Sequence, residues 1–287
     1  MKKPDTTDYI HSLLRVIVTS IIGGYIFFTV TLYLSQDSFI FHDPRMPDSE
    51  LVDFRKFYEP FELITELYIE TNDGIKLNGW LIREDSKKPA PIIIFFGGNG
   101  EDVSHNILDK RLYPGYSLAL INYRGYGISE GKPSEKALFE DAITIYDYFA
   151  SQDYVDKDNI VLMGRSLGSG VATYLASKRK TKGVVLLTPF DSVVEVARTH
   201  FPVLPVDLML KHKFDSISLA GDLNIPMLTI AAEKDIRIPY RHAKKLFDQW
   251  GSPDKEFVLL EGANHNNALL SRKYWQAIGR FLEKIKN

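Results

Sequence analysis

Residues 159–170 read NIVLMGRSLGSG, and the serine at their centre is the most informative feature of the chain. The apolar run 160–163 is typical of a buried strand, and the small residues after Ser166 suit the first turn of a helix. Gly164 and Gly168 lack a Cβ, so they let the strand and the helix pack closely around a tight turn. Such a turn presents a nucleophilic serine at the edge of a sheet. The simpler alternative is a glycine-rich turn whose serine only caps the helix.

Short apolar runs recur along the chain on both sides of this turn. Apolar runs at 91–96, 117–122, 183–188, 226–231 and 255–260 predict strands, and so do two runs of roughly period-2 alternation, at 66–71 and 76–83. Segments with helical periodicity lie between them, at 133–149, 166–178, 240–250 and 271–285. The first two strands are joined at Asn72-Asp73-Gly74, a hairpin signal. This alternation predicts an α/β fold with a mostly parallel sheet and helices on both faces.

A serine hydroxyl is a poor nucleophile unless a general base removes its proton. On a strand–turn–helix scaffold, that base is a histidine in the loop after the last strand. Only His265 has this position, because it follows the predicted strand 255–260 directly. His242 falls inside a charged helical segment, where we expect a solvated side chain. The alternative for His265 is an ordinary loop histidine.

A carboxylate must orient the histidine and stabilise its cation. Asp235 follows the predicted strand 226–231 and lies between the serine and the histidine in the chain, as this role requires. Glu233 is the main rival for the role, and Asp191 is a weaker one.

Two backbone N–H groups are expected to stabilise negative charge on a substrate oxygen. Leu167, directly after the serine, supplies the first donor. The second is expected in the loop 97–100, which follows the strand 91–96, and Asn99 is the candidate there. A dinucleotide-binding interpretation of this loop fails because the full G-x-G-x-x-G spacing is missing.

Composition excludes several classes of protein. The 287-residue chain is 45% hydrophobic and 25% charged, which is ordinary for a globular protein. A formal net charge of −2 gives no basic field for nucleic acid. The absence of cysteine excludes disulfides, thiolate metal sites and a cysteine nucleophile. The sequence implies no metal or organic cofactor, and it gives no indication of the oligomeric state.

The N-terminal region differs from the rest of the chain. Residues 16–36 contain neither charge nor proline, and about 20 residues are enough for a helix to cross a bilayer. We expect an uncleaved single-pass anchor. A cleaved signal peptide is the main alternative, although no small-residue cleavage site follows the apolar run. A buried core helix is the second alternative.

Flanking charges indicate an orientation for this span. Lys2, Lys3 and Arg15 precede it, whereas Arg45 is the only basic residue close behind it. Because basic residues favour the cytoplasmic side, the N-terminus is expected in the cytoplasm and the folded domain outside it.

The sequence therefore divides into three parts. Residues 1–36 are the N-terminal tail and transmembrane anchor, 37–61 a linker, and 62–287 the catalytic domain. An insertion at about 191–224 is expected to form a small cap, and its apolar residues are candidates to line an acyl pocket or simply to pack on the sheet.

The chain resembles the α/β-hydrolases, and more narrowly the membrane-anchored Bem46-type branch, which is itself similar to depalmitoylating α/β-hydrolase-domain proteins. The resemblance covers most of the chain from about residue 62 onward. It is carried by the motifs GRSLGSG, FFGGNGED, NYRGYGISEGKPSE, EKDIRIP and GANHN. Two positions depart from the family pattern: Gly97 replaces the usual histidine of the oxyanion loop, and Asn122 stands where an aspartate is more common.

The resemblance implies a serine esterase, lipase or acyl-thioesterase that uses Ser166, His265 and Asp235 as a catalytic triad. Leu167 and Asn99 are expected to form the oxyanion hole. The membrane anchor favours a small-molecule or lipid-like acyl substrate. A serine peptidase of the same fold and a non-catalytic, membrane-anchored binding module remain as alternatives.

Overall fold

A computed structural model describes residues 6–42, 48–59 and 61–286. Within those residues, the strands are β1 (Ile64–Glu70), β2 (Lys76–Ile82), β3 (Ala90–Phe96), β4 (Ser117–Ile121), β5 (Val155–Arg165), β6 (Gly183–Leu187), β7 (Met227–Ala232) and β8 (Lys255–Leu260). The α-helices are α1 (Thr6–Ile40), α2 (Asp48–Tyr58), α3 (Glu135–Ala150), α4 (Leu167–Ala176), α5 (Val193–His200), α6 (Val206–Met209), α7 (Ser216–Ala220), α8 (Tyr240–Gln249) and α9 (Arg272–Lys286).

The eight strands form one sheet in the order β1-β2-β4-β3-β5-β6-β7-β8. The pairs β1–β2 and β2–β4 are antiparallel, and all other pairs are parallel. The predicted hairpin is present, with Gly74 at a φ of 79° in its turn. The predicted α/β class and its mostly parallel sheet are confirmed.

Helices cover both faces of the sheet, and each face has its own apolar core. One core contains Leu138 of α3, Leu175 of α4 and Leu246 of α8. The other contains Ile278 of α9 and Ile107 of a 3₁₀ segment, Val103–Leu112. The central strands are buried on both faces because helices cover both sides, which explains their continuous apolar sequences.

The insertion between β6 and β7 contains three short helices, α5, α6 and α7. Ser192 caps α5 by accepting a hydrogen bond from the N–H of Glu195, and Asp215 caps α7 in the same way through Ser218. Several of its apolar side chains remain exposed, including Val203 at 77% and Leu208 at 86%.

Helix α1 extends beyond the predicted span and packs against the folded domain. It contains 35 residues, which corresponds to about 50 Å. Its segment Tyr9–Ile40 is, among the described residues, the helix long and apolar enough to cross a membrane. Phe41, directly after the helix, is buried in the core on the α3 side of the sheet.

The segment between α1 and the sheet contains a second helix. The range 37–61, predicted as a linker, contains α2, and Phe54 and Tyr58 of this helix pack against Trp80. Amphipathic helices form when packing supplies an apolar partner, which Trp80 provides here. Lys2, Lys3 and Arg45, on which the predicted orientation depends, lie outside the described residues.

Candidate active site

Ser166 lies on a sharp turn between β5 and α4. Its φ and ψ are 51° and −115°, a conformation rarely adopted by a residue with a side chain. The turn needs glycine on both sides: a Cβ on Gly164 would lie 2.2 Å from the Gly168 carbonyl oxygen, and one on Gly168 would lie 2.0 Å from that of Phe96. The backbone N–H of Ser166 donates to the carbonyl of Leu187 at 2.9 Å, which ties the turn to β6.

The structure brings His265 to Ser166 across 99 residues of sequence. The distance between His265 Nε2 and Ser166 Oγ is 3.1 Å, within hydrogen-bond range. The other ring nitrogen, Nδ1, lies 2.6 Å from Oδ2 of Asp235. A proton on Nδ1 would leave Nε2 free to accept the serine proton.

The side chain of Asp235 is held in place by backbone N–H groups of residues that follow it. Its Oδ1 accepts hydrogen bonds from the N–H groups of Arg237 and Ile238, both at 2.9 Å. The side chain is 1% exposed, so a buried carboxylate faces the imidazole. This arrangement can stabilise a positive charge on His265.

The two rival carboxylates lie elsewhere. Glu233 accepts a hydrogen bond from the N–H of Gly262 at 2.7 Å. Asp191 pairs with a different histidine, His242, whose Nδ1 lies 2.8 Å from Asp191 Oδ1. Neither rival has a hydrogen bond to His265 within the described part of the chain.

The prediction that the side chain of His242 is solvated is wrong. Its side chain is buried between α8 and α5, with the ring contacting Asp191 on one side and Thr199 Oγ1, at 3.1 Å, on the other. Helix α8 is charged in sequence, but the insertion packs over the face that carries His242 and excludes water from it.

The two predicted oxyanion donors come from different loops. Leu167 begins α4, where the first N–H groups of a helix have no partner within the helix. Asn99 lies in the loop after β3, and a Cβ on the neighbouring Gly98 would lie 3.5 Å from Ser166 Cβ. Within the described residues, neither the N–H of Leu167 nor that of Asn99 donates a hydrogen bond. Both groups are therefore unpaired within that part of the chain.

Glu101 and Tyr123 support the loop that carries Asn99. Glu101 Oε2 accepts the N–H of Gly98 at 2.6 Å and lies 3.3 Å from Arg165 Nε. The hydroxyl of Tyr123 donates to the carbonyl of Gly97 at 2.9 Å. Burial raises the pKa of Tyr123 well above its usual range, so this donor keeps its proton. Tyr123 belongs to the motif NYRGYGISEGKPSE, whose sequence does not indicate this contact.

A cavity of about 500 Å³ opens in front of Ser166 and His265. Its lining is mostly polar and consists of Phe39, Gly98, Asn99, Gly100, Arg165, Ser166, Arg237, Ile238, His265 and Asn266. No described residue of the insertion lines it, so the insertion's apolar residues do not form an acyl pocket here. Phe39, at the end of α1, was missed because the sequence places it in a linker.

The described residues contain no group of three or more histidine and acidic side chains that could hold a metal ion. The chemistry available at this site is that of a hydroxyl, an imidazole, a carboxylate and backbone N–H groups. Together these groups can activate an oxygen nucleophile and stabilise an oxyanion.

The chain is similar to members of a known family. Residues 91–209 match the family model described as the alpha/beta hydrolase fold. An uncharacterized membrane protein of Saccharomyces cerevisiae is 32% identical, over 78% of this chain and 80% of the relative.

The chain is also similar to two further proteins. Protein bem46 of Schizosaccharomyces pombe is 28% identical over 80% of this chain and 78% of its own length. A lysophosphatidylserine lipase of Danio rerio, ABHD12, is 28% identical over 63% of this chain and 57% of its own.

Proposed function

Because the chain belongs to the Bem46-like branch of the α/β-hydrolase family, we propose that it is a serine hydrolase that cleaves carboxylic ester or thioester bonds. The observation that carries the proposal is the hydrogen-bonded series Ser166–His265–Asp235, in which Ser166 lies on a strained turn and faces a cavity. A turn of this kind is costly to hold and is characteristic of functional sites.

In the first step, Ser166 Oγ attacks the carbonyl carbon while His265 Nε2 takes the hydroxyl proton. Asp235 stabilises the resulting imidazolium through its 2.6 Å contact with Nδ1. The N–H groups of Leu167 and Asn99 hold the negative oxygen of the tetrahedral intermediate. Collapse of this intermediate breaks the bond to the leaving alcohol or thiol, which takes the proton from His265.

In the second step, water attacks the acyl-enzyme. His265 accepts a proton from the water, the bond between the acyl carbon and Ser166 Oγ breaks, and the proton passes to the serine oxygen. The products are a carboxylic acid and the regenerated enzyme.

We further propose that α1 anchors the enzyme in a membrane, with the hydrolase domain outside the cytoplasm. The hydroxyl of Tyr25, in the middle of the apolar segment, donates to the carbonyl of Val203 at 3.0 Å. The exposed side chain of Val203 therefore lies beside the anchor, and the exposed Leu208 precedes Met209, whose carbonyl accepts a hydrogen bond from Gln36 of α1. Lipid around the anchor would cover such side chains. A lipid-like ester could then reach the cavity without crossing bulk water. Modification of introduced surface cysteines by an impermeant reagent on intact cells tests the orientation, and labelling only after lysis would overturn it.

A narrower candidate substrate is a lysophospholipid. Arg237 lines the cavity, and its guanidinium has no partner among the described residues. It is exposed and free to bind an anionic headgroup. With this substrate, Arg237→Ala should raise KM about tenfold for a lysophospholipid and leave KM unchanged for a monoacylglycerol with the same acyl chain. Equal effects on both substrates would eliminate the candidate.

Labelling with a fluorophosphonate probe tests the proposed function directly. Wild type should be labelled, and Ser166→Ala and His265→Ala should not. Thr199→Ala is the matched control, because Thr199 also contacts a histidine–aspartate pair, and this variant should be labelled at the wild-type rate.

A substrate panel then separates the remaining alternatives. Ester or thioester hydrolysis with no cleavage of peptide amides supports the proposal, whereas preferential amide cleavage would favour a serine peptidase. A folded wild-type protein that resists the probe would favour the binding module.

A further inference from the structure

The last turn of α1 reaches the cavity in front of Ser166. Phe39 is one of the residues that line this cavity, and its side chain is 66% exposed. It is the only contribution that the described part of α1 makes to the lining. The membrane helix and the reacting groups therefore share one surface.

The side chain of Asn99 joins the end of α1 to the loop that carries the proposed oxyanion donor. Its Nδ2 donates to the carbonyl of Phe39 at 2.9 Å, and its Oδ1 accepts the N–H of His42 at 2.6 Å. The Phe39 carbonyl belongs to the last turn of α1, where carbonyl groups have no intrahelical partner, and the His42 N–H lies two residues beyond the helix. The amide of Asn99 thus satisfies one donor and one acceptor with one planar group.

Further contacts hold the same turn against the domain. Gln36 donates to the carbonyl of Met209 at 3.2 Å and accepts the N–H of Lys211 at 2.8 Å. Phe41 is 7% exposed and packs edge-on against His212. The end of α1 is therefore held from two sides, by the insertion and by the loop after β3, and we call this set of contacts the seating of α1.

We propose that the end of α1 is a working part of the active site, and that Asn99 is a positioning residue whose side chain clamps the anchor. In this role, the side chain fixes the backbone N–H of the same residue at the oxyanion position. The clamp also holds Phe39 at the cavity mouth, where the acyl chain of a substrate enters. This inference rests on the proposed hydrolase function.

Kinetics of full-length protein in lipid nanodiscs test the positioning role. In Asn99→Ala the backbone N–H remains but the clamp is lost, so kcat for a short ester should fall about 100-fold while KM changes less than twofold. Tyr25→Phe is the matched control: it removes a contact between α1 and the domain far along the helix and should keep kcat. A wild-type kcat in Asn99→Ala would overturn the proposal.

Phe39→Ala tests the second half of the proposal and remains decisive if the Asn99 variant does not fold. It keeps the backbone carbonyl that Asn99 binds but removes the ring. KM should rise about tenfold for a long-chain ester and stay unchanged for an acetyl ester. A uniform change across chain lengths, or none, would show that Phe39 does not contact the acyl chain.

A cross-link tests the geometry independently of activity. The natural chain has no cysteine, and a Cβ on Gly100 would lie 3.6 Å from His42 Cβ, within the range for a disulfide. The double variant His42→Cys/Gly100→Cys should oxidise to an intramolecular disulfide, and the single variants should not. A folded double variant that stays reduced would overturn the seating of α1.

These readouts separate the two proposals. If wild type is not labelled by the fluorophosphonate but the cross-link forms, the hydrolase function fails and the seating of α1 survives. If wild type is labelled and Asn99→Ala behaves like it, only the clamp fails.

Discussion

The described residues include two similar arrangements of hydroxyl, histidine and aspartate. In one, Ser166 lies 3.1 Å from His265, which lies 2.6 Å from Asp235. In the other, Thr199 lies 3.1 Å from His242, which lies 2.8 Å from Asp191. Distances alone do not distinguish them.

The surroundings of the two hydroxyls differ. Ser166 precedes the N-terminus of α4 on a strained turn and faces a cavity of about 500 Å³. Thr199 lies within α5, where its hydroxyl also donates to the carbonyl of Glu195 and accepts a hydrogen bond from Arg241. Thr199 therefore has no open position for a substrate, and its hydroxyl is already occupied.

The two aspartates also differ in their partners. Asp191 Oδ2 lies 3.1 Å from Lys245 Nζ, whereas Asp235 is held by backbone N–H groups. Burial alone would raise the pKa of Asp191, but hydrogen bonds from His242 and the Ser192 N–H outweigh it and hold this pKa below its usual range. We interpret the second arrangement as a structural clamp between the insertion and α8. A reactive site needs an open, strained hydroxyl as well as the right residue types.

The largest expected effect separates the two aspartates. Asp235→Asn should lower kcat about 10⁴-fold, because an amide favours the wrong tautomer of His265 and cannot stabilise its cation. Asp191→Asn should change kcat less than threefold. Steady-state ester hydrolysis measures both, and a large loss in the Asp191 variant would show that the second arrangement takes part in turnover.

The second largest effect concerns the strained turn, which Ser166 has and Thr199 lacks. A Cβ at position 168 would meet the carbonyl oxygens of Phe96 and Gly97 at 2.0 and 2.6 Å, so Gly168→Ala must push α4 away from β3. Displacement of Ser166 should slow fluorophosphonate labelling about 100-fold. Gly279→Ala on the exposed side of α9 is the control, because no atom lies within 4 Å of its new Cβ. Equal labelling of both variants would contradict the role assigned to the turn.

His265 matters more for activity, but we expect His242 to matter more for the free energy of unfolding. His242→Ala removes two hydrogen bonds inside the protein and should lower the free energy of unfolding by about 1.5–3 kcal/mol. His265→Ala should cost less, because water in the cavity can replace the lost partner. Thermal melting in the same detergent compares the two variants, and a larger destabilisation by His265→Ala would refute this assignment.

The smallest effect concerns pH. Because the pKa of Asp191 is lower in the folded state than its ordinary value of 3.8, the clamp stabilises the fold fully above about pH 4. The contribution is lost as the pH falls through the folded-state pKa. The difference in Tm between wild type and Asp191→Asn should therefore be constant from pH 7 to 5 and shrink below pH 4. A constant difference down to pH 3 would argue against the charged pair.

Much of the architecture could be predicted because its signals are local. All eight predicted strands appear at the expected positions. The central ones are apolar throughout because helices cover both faces, and β1 follows a period-2 pattern. The order of Ser166, Asp235 and His265 along the chain also follows from which loops succeed which strands. The seating of α1 could not be predicted, because it depends on partners such as Asn99 and Met209 that are distant in sequence.

The burial of His242 also could not be predicted from the local sequence. Helix α8 is charged, so its sequence predicts solvation, and only the packing of α5 against it removes water from the histidine. Likewise, the apolar sequence of the insertion indicates burial or a pocket, but Val203 and Leu208 are exposed beside α1.

The sequence by itself determined the α/β class, the strand order along the chain, the turn at Ser166 and the candidate partners Asp235 and His265. These follow from hydrophobic periodicity and from glycine, whose effects act within a few residues. Only the tertiary structure decided that Phe39 lines the cavity, that Asn99 binds the end of the membrane helix, and that Asp191 and His242 pair away from Ser166. Such contacts depend on how separate elements pack, and no short stretch of sequence contains that information.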